Sequence, residues 1–148
     1  MEKAHSIFKA LFQRIGRRGA FLLFLALLDF VNGYALLFPT PRASTNPTYI
    51  FLASVLPLQA WGILWASVGA VCLVFAFRRN DAPGYAAAVF IKILWALIFL
   101  LGWVFADVER GYLSAVIWGV LALILPLIAT WPEPEPGRGT GPVERVEA

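Results

Sequence analysis

Asp107 and Glu109 stand two positions apart in the stretch DVERG, and paired carboxylates of this kind can share general acid–base work. Arg110 adjoins them in what reads as a tight turn, so solvated charge at a helix end accounts for them better than catalysis does. One cysteine, Cys72, lies inside an apolar run, and one histidine, His5, lies near the N-terminus. A lone thiol and a lone imidazole so far apart make neither a metal set nor a nucleophile–base pair, and the cysteine has no partner for an internal disulfide. Neither a Gly-rich phosphate loop nor a Ser-His-Asp order occurs. These exclusions predict a protein without enzymatic activity and without a cofactor or metal. The chemically unusual residues that remain are four polar side chains inside apolar runs: Asp29, Asn32, Gln59 and Lys92.

The elements around them are written in the composition. Of 148 residues, 60% are hydrophobic and only 14% charged, where a soluble domain carries about 25% charged residues. A membrane-spanning helix needs about 20 mostly apolar residues. Four stretches meet that length: residues 19–38, 55–77, 85–106 and 112–131. Each ends in charge or proline, in FPTP, RRND, DVERG and WPEPEP respectively. The fold class expected is all-α, a polytopic membrane protein built as a bundle of four transmembrane helices.

Orientation follows from the basic residues. With the N-terminus cytoplasmic, nine of the Lys and Arg residues flanking the spans fall inside and only Arg42 and Arg110 outside. Both termini are therefore expected in the cytoplasm, with a bacterial cytoplasmic membrane as the setting. The long basic start and the lack of a prompt small-x-small site argue against a cleaved signal peptide. Lys3, Lys9, Arg14, Arg17 and Arg18 crowd the first 18 residues, which points to anionic lipid headgroups. Nothing resembles a nucleic-acid-binding module. Within residues 1–18, Ile7, Phe8, Leu11, Phe12 and Ile15 share one helical arc. That pattern predicts an amphipathic helix in the headgroup layer, with a short helix packed beneath the bundle as the alternative. Residues 132–148, rich in Pro, Gly and Glu, read as a disordered cytoplasmic tail.

In lipid, helices associate through small residues and polar contacts. Read at 100° per residue, each span offers such a face. The first carries Ala26, Asp29, Asn32 and Gly33; the second carries Gln59, Gly62, Ala66, Gly69 and Ala70. The third carries Ala88, Lys92, Ala96, Phe99 and Trp103; the fourth carries Ala115, Trp118, Gly119, Ala122 and Ala129. These faces suit a compact bundle and equally suit a homo-oligomer. Trp61, Trp103, Trp131, Tyr85 and Tyr112 fall near span ends and read as interfacial anchors, while Trp65, Trp95 and Trp118 lie deeper and read as packing residues.

Asp29 lies about 15 Å into its span and Lys92 about 10 Å from the same membrane face. A charge at that depth costs at least ~2.5 kcal/mol on insertion scales. Lys92 could reach Asp29, or it could snorkel to the headgroups, since side chains lean toward a helix N-terminus. Asn32 and Gln59 lie at similar depth and could share a hydrogen bond. The four together read either as glue between helices or as the lining of a wet, proton-carrying path.

The segments RRGAFLLFLALLDFVNGYALLFP, LPLQAWGILWASVGAVCLVFAF and IKILWALIFLLGWVFADVERGYLSAVIW, with the terminal WPEPEP, resemble small four-span membrane proteins of actinobacterial phages and prophages. The likeness covers roughly residues 17–136 and brings no catalytic or ligand motif with it. It implies a holin-like role, in which small proteins accumulate in the host membrane and permeabilise it as oligomers. The charge layout departs from the usual holin pattern, because the basic cluster is N-terminal and the C-terminal tail is mixed and slightly acidic. Two other roles are open: an accessory membrane protein that docks a partner or modifies the envelope, and a small proton- or ion-coupled carrier using Asp29.

Overall fold

In the computed structural model, which describes residues 16–41, 45–78 and 80–132, the described residues form five helices and no strand. They are α1 (Arg17–Leu37), α2 (Pro47–Val55), α3 (Leu58–Phe75), α4 (Ala82–Phe105) and α5 (Gly111–Ala129). All but α2 are long and apolar enough to cross a membrane. The fold is all-α, a bundle of four such helices. The amphipathic helix expected within residues 1–18 and the tail expected over residues 132–148 lie almost wholly outside the described residues.

Local chemistry sets the boundaries. α1 stops at Phe38, ahead of Pro39 and Pro41. α2 begins with Pro47 in its first turn, and the Asn46 side chain accepts the Thr48 N–H at 2.9 Å, a standard N-terminal cap. This short helix lies between the first two expected spans, the second of which was expected to begin at residue 55. Pro57 separates α2 from α3, so the second span starts at Leu58. α4 opens earlier than expected, at Ala82, because Pro83 is tolerated in a first helical turn. Residues 106–110 reverse the chain between α4 and α5, with Asp107 and Arg110 in the left-handed region at φ 50° and 59°. Buried Val108 pins that turn, its N–H donating to Gly102 O at 3.1 Å.

α1 packs mainly on α3, α3 on α4, and α4 on α5, each pair antiparallel, so that α1 and α4 run parallel. The start of α1 and the end of α5 therefore lie at the same end of the bundle. Seen along α1, the buried positions Leu22, Leu25, Ala26, Asp29, Gly33 and Leu36 recur every three or four residues, one face of a helix. α4 buries Tyr85, Ala88, Ile91, Lys92, Trp95 and Ile98 on the same rhythm. Between α1 and α3 the backbones nearly touch: a Cβ added at Gly62 would lie 2.9 Å from Gly33 O, and one added at Gly33 would lie 3.0 Å from Gly62 O. Only glycine permits that approach, which is the small-residue packing that lipid favours.

Two aromatic expectations are corrected. Trp61 is no exposed anchor: it is 5% exposed and donates Nε1–H to Leu52 O at 3.1 Å. α2 supplies that carbonyl, so the residue that marks a span end also lies in the core. Tyr85 is likewise buried, because its hydroxyl donates to Arg18 O at 3.0 Å. Trp103, Tyr112 and Trp131 are exposed, as interfacial residues are.

Candidate functional site

The polar centre of the bundle is an ion pair. Asp29 and Lys92 are both 0% exposed, and Lys92 Nζ donates to Asp29 Oδ1. Parallel α1 and α4 bring them together, and with Lys92 0% exposed the snorkelling alternative is not adopted. On the far side of the carboxylate, the Cys72 thiol of α3 lies 4.0 Å from Asp29 Oδ2 and 3.5 Å from Gly84 O. The lysine ammonium also faces an aromatic ring, with Nζ 5.0 Å from the Trp65 centroid, close enough for cation–π attraction. Trp65 in turn packs edge-on against Trp95 at 5.2 Å and tilted against Trp118 at 5.3 Å, while Trp95 also meets Trp61 at 5.5 Å. The indole N–H of Trp65 is buried with no hydrogen-bond partner, an arrangement that costs about 1–3 kcal/mol.

A second pair ties the same two helices. Arg18 Nη2 donates to Asp81 Oδ1 at 2.5 Å, with side-chain exposures of 24% and 12%. Both pairs span the same 63 positions in sequence. Eleven residues separate Arg18 from Asp29, and eleven separate Asp81 from Lys92. Eleven residues are about three helical turns, so both partners fall on one stripe. The polarity alternates: cation then acid on α1, acid at the N-cap then cation within α4. Sliding α1 by one turn against α4 would leave all four charges unmatched. The pairs therefore fix the register of the two helices.

The other residues singled out from sequence take different places. The Asn32 amide donates to Leu28 O of its own helix at 2.8 Å and Gln59 is exposed, so the hydrogen bond expected between them does not form. Asn32 sits beside the buried stripe of α1, where its own backbone is the nearest acceptor. Gly33, Gly62 and Gly69 are buried in the α1–α3 seam, and Ala66 packs on Gly33. Ala70 is exposed, since it sits 100° round the helix from Gly69. Ala115 is half-buried, and a Cβ added at Gly119 would meet nothing within 4 Å. Arg17 is exposed and Arg18 is engaged with Asp81, while Lys3, Lys9 and Arg14 lie outside the described residues. Among the described residues no three His, Cys, Asp or Glu side chains come together as a metal-holding group. Sequence reasoning missed Cys72, Trp65 and the Arg18–Asp81 pair as members of this polar seam. The matched eleven-residue spacing of opposite charges was the available signal.

Chemically, the centre holds a carboxylate, an ammonium and a thiol under complete burial. An ammonium and a carboxylate together carry no net charge, and in a low-dielectric core each makes the other tolerable. No family model matches the chain, and comparison with curated proteins and with solved structures finds none that is similar.

Proposed function

We propose that the protein is a non-enzymatic integral membrane protein of a bacterial cytoplasmic membrane, with both termini in the cytoplasm, that acts by lateral association as a holin-like permeabiliser. The observation that carries this reading is the free face of α5. Gly119 has open space before it, and Val116, Ile117, Val120, Leu123 and Leu127 around the helix are exposed. Within the chain the intramembrane charges are spent on each other, so a single copy offers no charged lining for a water path. Any leak must then arise between copies, and the helix with most surface to give is α5. The asymmetry of basic residues supports the orientation, and the phage-protein resemblance supports the setting. Anionic headgroups would meet Arg17 and Arg78, both exposed at the end where α1 begins and α3 stops.

Timed expression in a bacterial host tests this. The expected result is an abrupt loss of membrane potential after a lag, with covalent multimers after crosslinking. Intact potential with a reproducible crosslinked partner of another kind would replace this reading with the accessory one.

The buried pair favours one second reading, a proton-coupled carrier centred on Asp29. It predicts pH-driven flux into liposomes that Asp29→Asn abolishes. Flux unchanged by that substitution removes the reading.

A further inference from the structure

The helices are not held alike. Side-chain hydrogen bonds or ion pairs link α1 to α4, α2 to α3, and α3 to both α1 and α4. Among the described residues, no side chain of α5 donates to or accepts from another helix; Thr130 bonds only within its own, to Leu127 O. What attaches α5 is packing, mainly against α4, where Tyr112 meets Trp103, with Trp118 also reaching Trp65 of α3. It also buries the fewest residues of the four long helices: Gly111, Ala122, Leu125 and Ile128. In water such apolar packing would hold strongly. In hydrocarbon, lipid tails replace it with little penalty, because they are as apolar as leucine.

The connection to α4 is strained. Residues 106–110 place two residues that are not glycine, Asp107 and Arg110, in the left-handed region, at φ 50° and 59°. Such conformations are uncommon for side-chain-bearing residues and persist where the surroundings impose them. Here the imposing feature is the tight reversal itself. A short, strained hinge beside an element held by packing alone is the arrangement that invites exchange of that element between copies. Extended, five residues reach about 17 Å, which exceeds the 8–10 Å between packed helix axes.

We propose that α5 is an exchangeable arm: two copies of this chain associate by trading it, the α5 of each packing on the α4 of the other. The trade re-forms the α4–α5 contacts of the closed chain, gives up the Val108 N–H bond to Gly102 O, and releases the reversal at Asp107 and Arg110. The seam fixed by the ion pairs stays intact in each copy. The inference rests on the lateral-association reading for its setting, but its readout is independent of leakage.

The test uses the full chain in lipid vesicles with Trp103→Cys and Tyr112→Cys, whose rings meet at 5.6 Å across the α4–α5 seam and are both about half exposed. Fully buried Cys72 is spared if a short bis-maleimide is quenched before denaturation. A closed chain gives an internally bridged monomer, and an exchanged pair gives a covalent dimer. The expected result is a dimer band that falls about tenfold when Asp107→Gly and Arg110→Gly remove the hinge strain. Two results overturn the proposal: monomer alone at every protein-to-lipid ratio, or a dimer band indifferent to the glycine hinge, which would mark a contact between closed chains. If the dimer forms and responds while vesicles stay sealed, the exchange stands and the permeabiliser reading falls.

Discussion

Asp29–Lys92 and Arg18–Asp81 join the same two helices at the same sequence offset, yet one is sealed in the bundle and the other opens at its edge. The geometry is nearly repeated, so depth is the variable. At the edge, side-chain exposures of 24% and 12% leave partial access to water and salt, so losing one partner strands the other less completely. In the core neither has an alternative, since both are 0% exposed and lie against the Trp65 ring and the Cys72 thiol. An ion pair's importance in a bilayer protein lies less in its attraction than in what its removal leaves behind. The buried pair makes the fold specific, because a mispaired arrangement would leave a bare charge in hydrocarbon. The edge pair repeats the same register at low energy.

The sharpest way to break that contrast is to remove one buried partner. Asp29→Ala or Lys92→Ala should each destabilise the fold by about 3–5 kcal/mol, the penalty of an uncompensated buried charge. Denaturant unfolding in mixed micelles, followed by tryptophan fluorescence, measures it. Removing both, as Asp29→Leu with Lys92→Leu, should return stability to within ~1 kcal/mol of the original or raise it, because two apolar side chains need no partner. Additive losses in the double variant would mean the two charges act separately and the pairing is incidental.

A smaller effect should come from the seam that presents Asp29 to Cys72. Gly62→Val places a Cβ 2.9 Å from Gly33 O and 2.7 Å from Leu37 Cγ, so α1 and α3 must part. Overpacking of this kind typically costs ~1–3 kcal/mol. Gly119→Val, where nothing lies within 4 Å, should leave monomer stability unchanged. The pair of variants, measured in the same unfolding assay, separates a glycine needed within the chain from one that is not. Equal losses at both sites would mean that the open face of α5 is occupied after all.

Much of this was legible in the sequence, and the gaps have physical causes. Long apolar runs bounded by charge and proline locate the four spans to within a few residues, since hydrocarbon thickness leaves little freedom. Counting along the helices placed Asp29 and Lys92 at compatible depths, and parallel packing of α1 and α4 was what decided between pairing and snorkelling. α2 escaped notice because nine residues among prolines carry too little pattern to separate a short helix from a loop. Trp61 was misread for a related reason: depth predicts an aromatic anchor, but burial depends on the carbonyl that α2 happens to bring over it. Periodicity gives the face a residue is on and stays silent on the neighbour it meets. Asn32, Gln59 and Ala70 show this, each close to a packed stripe and none bonded or buried as the stripe alone implied.

The smallest expected effect tests the edge pair. Arg18→Gln removes the guanidinium from Asp81 and from the Tyr85 ring, whose centroid lies 5.9 Å away. It leaves the bond from Tyr85 Oη to the Arg18 carbonyl, because that acceptor is backbone. Asp81, once released, keeps 12% side-chain exposure at its helix start, where the N-terminal dipole of α4 also favours an acid. The loss should therefore be about 0–1 kcal/mol and should shrink further in 1 M salt, where the Debye length is about 3 Å. The Asp29→Ala loss should hold nearly constant over the same salt range, because no ions reach its site. A salt-insensitive loss at Arg18 as large as that at Asp29 would mean that depth does not set the difference between the two pairs.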